Sequence, residues 1–522
     1  MGLGPCDEAG MRQADTDSGC ADRLKPYVLT VAILGSSMAF VDGTVVTVAL
    51  PAIARGLGAG LADLQWIANG YALCLAALML IGGAAGDRFG RRRVFALGTA
   101  VFAAASLWCG LAAGPGELIA ARAVQGMGGA LLVPNSLALI SGNFPKAERG
   151  RAIGIWAAWS SIAAAFGPIL GGWLIEAGSW RLIFLINIPI AVVTLALAFA
   201  RVPESRDQTA AGGLDWTGAV LVAAGLGAVA YALTVWGETQ ARGTGLMLVA
   251  LAGVAALAAF TWMQARAANP MMPLALFRSP AFSVANALTL VLYFALGGVL
   301  FFMPMTLIEV HGYSTSLAGA AFLPFTALMA LLSGWAGGLL DRYGARLPLV
   351  VGPVIAGLGF AALAPWPVGV SFWVGVVPAM ALTGLGMAIT VAPLSATVMN
   401  AVADTQAGVA SGINNTVARV AGLLAVAGFG IVVTSVFEQS ATALAQTAGV
   451  EAAQAMTTLS FAGDAAVTSD AAVTGDGAAI RRAALLDSFR SVALIAAGLA
   501  IVSAALAGLA LKPARQASST PP

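Results

Sequence analysis

The chain has 522 residues, 59% of them hydrophobic and only 10% charged, with a net charge of +2 and a mean hydropathy of +0.88. Soluble domains carry about 25% charged residues, so this composition excludes a water-soluble globular protein, and a balance so near neutral gives no footing for nucleic-acid binding. Apolar runs of about 20 residues recur along the chain without the strict alternation of a barrel strand, so helices must satisfy the backbone inside a bilayer.

In chain order, residues 1–26 are polar and mildly acidic and lack the basic-then-apolar order of a cleaved signal, which reads as a cytoplasmic tail. Spans follow near 27–50, 62–85, 93–113, 116–140, 149–176, 180–200, 214–236, 243–264, 280–308, 317–340, 346–365, 369–398, 407–437 and 488–511, fourteen in all, before a short tail at 512–522. The Ala/Thr-rich piece 438–486, with Glu438, Glu451, Asp464, Asp470 and Asp476, reads as extracellular, either a hairpin or flap over an exit or a loop of low complexity. Placing the 26 Lys and Arg on this map puts eighteen on the side of the N-terminus and six on the other, with Arg122 and Arg419 inside spans. That asymmetry predicts both termini in the cytoplasm and an even number of crossings.

Several chemistries are excluded or weakened. Lys25, Lys146 and Lys512 all lack the preceding glycine of a phosphate-binding loop, so energy must come from a gradient or from the substrate. A single histidine, His311, cannot build a His-rich metal or haem site and reads as a solvated loop residue. Cys6, Cys20, Cys74 and Cys109 form no disulfide or zinc spacing. No cofactor or metal is implied, and a membrane enzyme is a weak reading.

Charge and glycine are concentrated instead in one repeated loop. The run from Gly83 through Asp87, Arg88, Gly90, Arg91 and Arg92 follows the second span, and Asp341-Arg342-Tyr343-Gly344 repeats its core 254 residues later, again after an apolar span. Two copies of one loop imply two related halves, the organisation of many secondary transporters. Three further patterns accompany it: Asp42-Gly43-Thr44 to Pro51 in the first span, Leu118, Arg122, Gln125, Gly126 and Gly128 in the fourth, and Gly167-Pro168-Ile169-Leu170-Gly171-Gly172 in the fifth.

Together these motifs resemble the major facilitator superfamily and, within it, the fourteen-span drug:proton antiporters, although Thr47 stands where that branch usually has Asn. The resemblance implies an all-α integral membrane protein with a six-helix half over 27–201, two inserted helices with linkers over 202–279, and a second six-helix half over 280–511. It implies a bacterial cytoplasmic-membrane exporter that works as a monomer, with protons, the lipid bilayer and a lipophilic small molecule, cationic compounds included, as its partners. A single-metabolite exporter, a solute:proton symporter and a non-transporting sensor remain as alternatives.

Individual residues carry two readings each. Asp42, the one acidic residue deep in a span, is a proton or cationic-substrate site, or a structural carboxylate bonded to hydroxyls such as Thr44 or Ser37. Arg122 is tied to proton transfer by the resemblance, and otherwise is a packing arginine among glycines. Asp87 either latches onto the span starting near 407 in the outward-facing state or merely accompanies topogenic arginines. The Gly167, Pro168, Gly171 and Gly172 element marks export by resemblance, or an ordinary kinked helix. Asn135, Trp159, Asn414, Asn415 and Arg419 either line a central cavity or make interhelical contacts.

Overall fold

The computed structural model describes residues 19–206, 215–239, 243–267, 270, 272–366, 371–402, 406–447 and 475–511. Helix is the only regular structure among them apart from a 3-10 turn at Leu274–Arg278. The first half comprises α1 (Gly19–Leu57), α2 (Leu61–Phe89), α3 (Arg91–Leu111), α4 (Pro115–Asn143), α5 (Lys146–Ala177), the short α6 (Leu182–Leu185) and α7 (Asn187–Arg201). Two further helices, α8 (Trp216–Thr239) and α9 (Thr244–Arg266), precede the second half. That half holds α10 (Pro280–Glu309), the short α11 (Thr315–Ala320), α12 (Leu323–Tyr343), α13 (Arg346–Leu363), α14 (Phe372–Asn400), α15 (Ala407–Thr447) and α16 (Gly475–Ala510).

Thirteen of the described segments are long and apolar enough to cross a membrane. The other expected span, 149–176, falls on α5, a 32-residue helix whose first turns carry Lys146, Glu148, Arg149 and Arg151 and whose apolar stretch is the shorter Ile162–Ala177. Fourteen crossings therefore stand as a proposal. Three boundaries differ from the sequence reading. Helix α1 already starts at Gly19, inside the expected tail, and α15 and α16 both continue into the piece expected to be extramembrane at 438–486. The reason for the latter is an apolar seam beyond the spans: Phe437, Ala441 and Ala445 on α15 pack with Ile480, Ala484 and Leu485 on α16 and with Val310. Residues 1–18, 448–474 and 512–522, and with them Glu451, Asp464 and Asp470, lie outside the described residues.

Both copies of the repeated loop end their helix on a glycine at positive φ. Gly90 and Gly344 both sit at positive φ, +109° and +70°, and each donates its N–H to the carbonyl four residues back, Gly86 and Leu340. Gly90 is doubly required, because a Cβ there would meet the Glu204 carboxyl at 2.8 Å. Within the first half, α4 is the hub, packing on α2 and α3. Its approach to α2 is so close that a Cβ on Gly86 would overlap the side chain of Asn135.

The inserted pair is not a detached appendage. Helix α8 packs on both α2 and α15, so it bridges the two halves; its Tyr231 ring lies 6.3 Å from that of Trp66, and Gly237 rests against Ile431. Helix α9 packs on α8 and is otherwise largely exposed, as an apolar lipid-facing helix should be.

Pro168 in α5 cannot donate a backbone hydrogen bond, which frees the carbonyl of Ala164 inside the bundle. Thr44 on α1 lies 3.1 Å from that oxygen and 3.0 Å from its own Val41 carbonyl, so its single hydroxyl proton serves both. Gly167 lets α1 come this near, since a Cβ there would strike the Thr44 hydroxyl at 2.2 Å. A Thr44→Val substitution should therefore lower stability by about 1 kcal/mol, and less in a Pro168→Ala background where the helix supplies its own donor. Thermal unfolding of the purified single and double variants in detergent checks this; equal losses in both backgrounds would contradict it.

Candidate functional site

Asp42 on α1 is fully buried, and both carboxyl oxygens accept hydrogen bonds. Oδ2 takes one from Arg122 Nη1, and Oδ1 takes one from Gln125 Nε2 at 2.8 Å. Arg122 is 1% exposed and makes two more bonds, Nε to the Ile67 carbonyl of α2 at 3.1 Å and Nη1 to Gln125 Oε1 at 2.6 Å. Its guanidinium also lies over the Tyr71 ring, 4.3 Å from the centroid. Gln125 Nε2 further donates to Ser106 on α3 at 2.8 Å, and Asn187 on α7 reaches the same hydroxyl at 3.4 Å. One network thus ties α1, α2, α3, α4 and α7 together through a sealed ion pair.

This arrangement identifies the partners of Asp42. Its partners are Arg122 and Gln125, while the Thr44 hydroxyl is committed to the carbonyls of α1 and α5. A cationic substrate would need an exposed carboxylate oxygen, and Asp42 has none in this conformation. What the geometry offers is a carboxyl group whose two oxygens are taken by donors from one fixed cation and one amide, beside an arginine that stays charged throughout.

The seam between the halves is closed at the end opposite Asp87. Arg55 donates to Glu309 at 2.9 Å, Gln65 Nε2 to the Val426 carbonyl at 3.0 Å, and Ser316 to Glu176 through both its N–H at 2.9 Å and its hydroxyl at 2.6 Å. The glycine and proline element makes this contact possible: Gly171 meets Val45 of α1, Gly172 meets Ser316 of α11, and Gly319 rests on the Pro168 carbonyl. Glu309 additionally lies 3.6 Å from Arg481. Nearby, the His311 ring is not a freely solvated loop group; it stacks on Trp366 with centroids 3.9 Å apart, and burial holds its pKa below the ordinary imidazole value.

At the other end, Asp87 accepts from Arg91 Nε at 2.9 Å and Nη2 at 2.7 Å. The expected partner from the helix starting near 407 is not the one it holds here. Glu204, which the sequence reading missed, accepts from the backbone N–H of Arg92 and Arg93 at 2.9 and 3.2 Å and so caps the start of α3. Arg88 and Arg342 occupy matching positions over the adjacent Phe89 and Tyr343 rings, Gly83 packs against Pro134, and the side chain of Asp341 lies outside the described set.

The five candidate cavity residues separate into two groups. Asn135 is fully buried and donates to the Gly82 and Leu131 carbonyls, and Asn414 donates to Asn286 and Thr289 on α10 at 3.2 and 2.7 Å. Both are interhelical contacts. Trp159 and Asn415 are exposed and Arg419 is partly so. Asn69 on α2 was not singled out from sequence, yet it is 1% exposed with neither amide atom partnered among the described residues. Its only sequence signal was an amide one turn after Gln65 in an apolar span.

The family model described as Major Facilitator Superfamily matches residues 32–426. The chain is 36% identical over 427 residues to the tetracenomycin C resistance and export protein of Streptomyces glaucescens, covering 80% of this chain and 77% of that one. It is 37% identical over 395 residues to the multidrug resistance protein Stp of Mycobacterium tuberculosis, covering 75% and 73%. A crystal structure of a bacterial homologue of the human lysosomal transporter Spinster, inward-facing and occupied, matches with a TM-score of 0.67 at 18% identity, covering 93% of this chain and 96% of that one; at such identity it bears on the fold alone. With the helical architecture, the repeated Gly90 and Gly344 loops and these matches in agreement, the chain belongs to the Major Facilitator Superfamily.

Proposed function

We propose that the chain exports amphipathic antibiotics or drugs across the bacterial cytoplasmic membrane in exchange for protons, by alternating access. The observation that carries the coupling is the sealed Asp42, Arg122 and Gln125 network, in which one carboxyl group is the exchange point between a proton and a fixed cation. The direction of transport draws on the names of the relatives, export and multidrug resistance proteins. Because one relative is named for a single compound and another for multidrug resistance, export of one dedicated compound is the second reading.

With both termini in the cytoplasm, the end that carries Asp87 faces inward and the end closed by Arg55–Glu309 and Glu176–Ser316 faces outward. This conformation then takes cargo from the cytoplasmic side. Asp87 pairing with Arg91 belongs to it, and a latch from Asp87 to the second half belongs to the opposite state. One fourteen-span chain suffices for the cycle. The driving force is ample, since one proton charge crossing 100 mV supplies about 2.3 kcal/mol before any pH gradient is added.

Everted membrane vesicles given an antibiotic panel in the external medium test the proposal: uptake into the vesicles should follow the pH gradient and collapse with nigericin, and uptake indifferent to the gradient would refute coupling. Opening of the outer end is required in each cycle. A Glu176→Cys, Ser316→Cys double variant should therefore lose uptake on oxidation and regain it on reduction, whereas uptake unaffected by a formed crosslink would contradict alternating access at this seam. Arg122→Lys keeps the charge but not the fork that reaches Ile67 and Gln125. Loss of one charge-assisted bond of about 1.5–3 kcal/mol predicts a fall in coupled uptake of about 10- to 100-fold, measured at matched membrane abundance.

A further inference from the structure

The two charges that the spans carry at depth in the first half neutralise each other, but the second half carries an arginine with no such partner among the described residues. Arg419 lies twelve residues into α15, which at roughly 1.5 Å per residue is about 18 Å along the helix, near the middle of a hydrocarbon layer of about 30 Å. No carboxylate, carbonyl or amide oxygen bonds it among the described residues. A side chain of its length cannot bring the guanidinium back to the water interface from there, and a cation left alone in lipid is strongly disfavoured.

Its direction follows from the helix. Asn415, Arg419, Gly422, Val426 and Gly430 fall on one stripe at 3.6 residues per turn. The top of that stripe faces the first half, because the Val426 carbonyl accepts from Gln65 of α2 and Gly430 lies against the same side chain. Below this contact the halves diverge: a Cβ on Gly422 would meet nothing within 4 Å, and Asn415 is exposed. Arg419 therefore lies beside the opening between the halves, on the stripe of α15 that meets α2 at Gln65. Asn69, one turn inward from Gln65 on the same face of α2, is buried with its amide unpartnered among the described residues. Meanwhile the first half's carboxylate, Asp42, is sealed behind Arg122 and Gln125.

We propose that the cargo binds as an organic anion, its carboxylate or phenolate held by the Arg419 guanidinium with the Asn415 amide beside it. The placement of the site rests on the alternating-access reading, while its chemistry does not. A lipophilic cation would meet an uncompensated positive charge at this point and no exposed carboxylate. An acid instead supplies the missing counter-charge, and a bidentate guanidinium–carboxylate contact is the strongest form of that pairing. Proton entry and anion exit also move charge in the same electrical sense, so an inside-negative potential drives both.

A matched trio of fluorescent probes tests this on the purified full-length protein in nanodiscs: anthracene-9-carboxylate, anthracene-9-carboxamide and 9-(aminomethyl)anthracene. Wild type should bind the carboxylate about tenfold or more tightly than the carboxamide, with the ammonium weakest. Arg419→Gln should erase the carboxylate preference while still binding the carboxamide, which shows that the variant is folded, and Arg419→Lys should retain part of it. Absence of any acid-over-amide preference in wild type, or its persistence in Arg419→Gln, would overturn the proposal. Since binding is read without transport, lack of flux in proteoliposomes with the preference intact would defeat the export reading and leave the anion site standing.

Discussion

A charge placed in hydrocarbon must bring its counter-charge with it, and the first half of this protein is organised around one such pair. Asp42 and Arg122 come from α1 and α4, and neither has surface through which water can help. Removing one member of a buried pair leaves the other uncompensated, at a cost of about 3–5 kcal/mol. The surrounding residues supply the remaining bonds: the Ile67 carbonyl, Gln125, Ser106 and Asn187 draw three more helices into the network. Gly126 and Gly128 let it form, the first letting α4 touch the backbone of α2 at Tyr71 and the second the backbone of α3 at Phe102. The network thus cross-links five helices of the half around one carboxylate, and in the proposed cycle a proton and Arg122 alternate on it.

The second half answers with the opposite arrangement. Arg419 faces the seam without a counter-charge among the described residues, and the seam itself is asymmetric, closed by Gln65, Glu176, Ser316, Arg55 and Glu309 at one end and widening toward Asn415. Tyr71 belongs to the first of these sites, its ring under the Arg122 guanidinium and its hydroxyl bonded to the Ala39 carbonyl of α1. In the proposed cycle, cargo at Arg419 and the proton on Asp42 both act through α2. Closure at the end opposite Asp87 uses small residues: Gly172 on Ser316 and Gly319 on Pro168 bring backbones into contact beside the Arg55–Glu309 and Glu176–Ser316 bonds.

Much of this was legible in the sequence, for identifiable reasons. Helix positions follow from the length of apolar runs, and the two related halves from the repeated Asp-Arg-aromatic-Gly loop, whose glycines prove to share a positive φ. Asp42 and Arg122 stand out because charge in an apolar span is conspicuous. What the sequence hides is pairing. Nothing in the spacing says that Asp42 meets Arg122 80 residues away, that Asn414 bonds to Asn286 while Asn415, next to it, stays exposed, or that Glu204 caps α3. The ends of α15 and α16 were also missed, because alanine-rich seams between two helices look like low-complexity loop when each is read alone.

In the proposed cycle Asp42 exchanges its proton against Arg122 once for each substrate moved. The deciding measurement is the number of protons taken up per substrate exported, with purified protein in liposomes at an imposed pH gradient, for wild type and for Asp42→Asn. Substrate-triggered proton flux should appear in wild type and be absent in the variant at equal insertion. Undiminished proton flux through Asp42→Asn would exclude Asp42 as the exchange point and move the coupling carboxylate elsewhere.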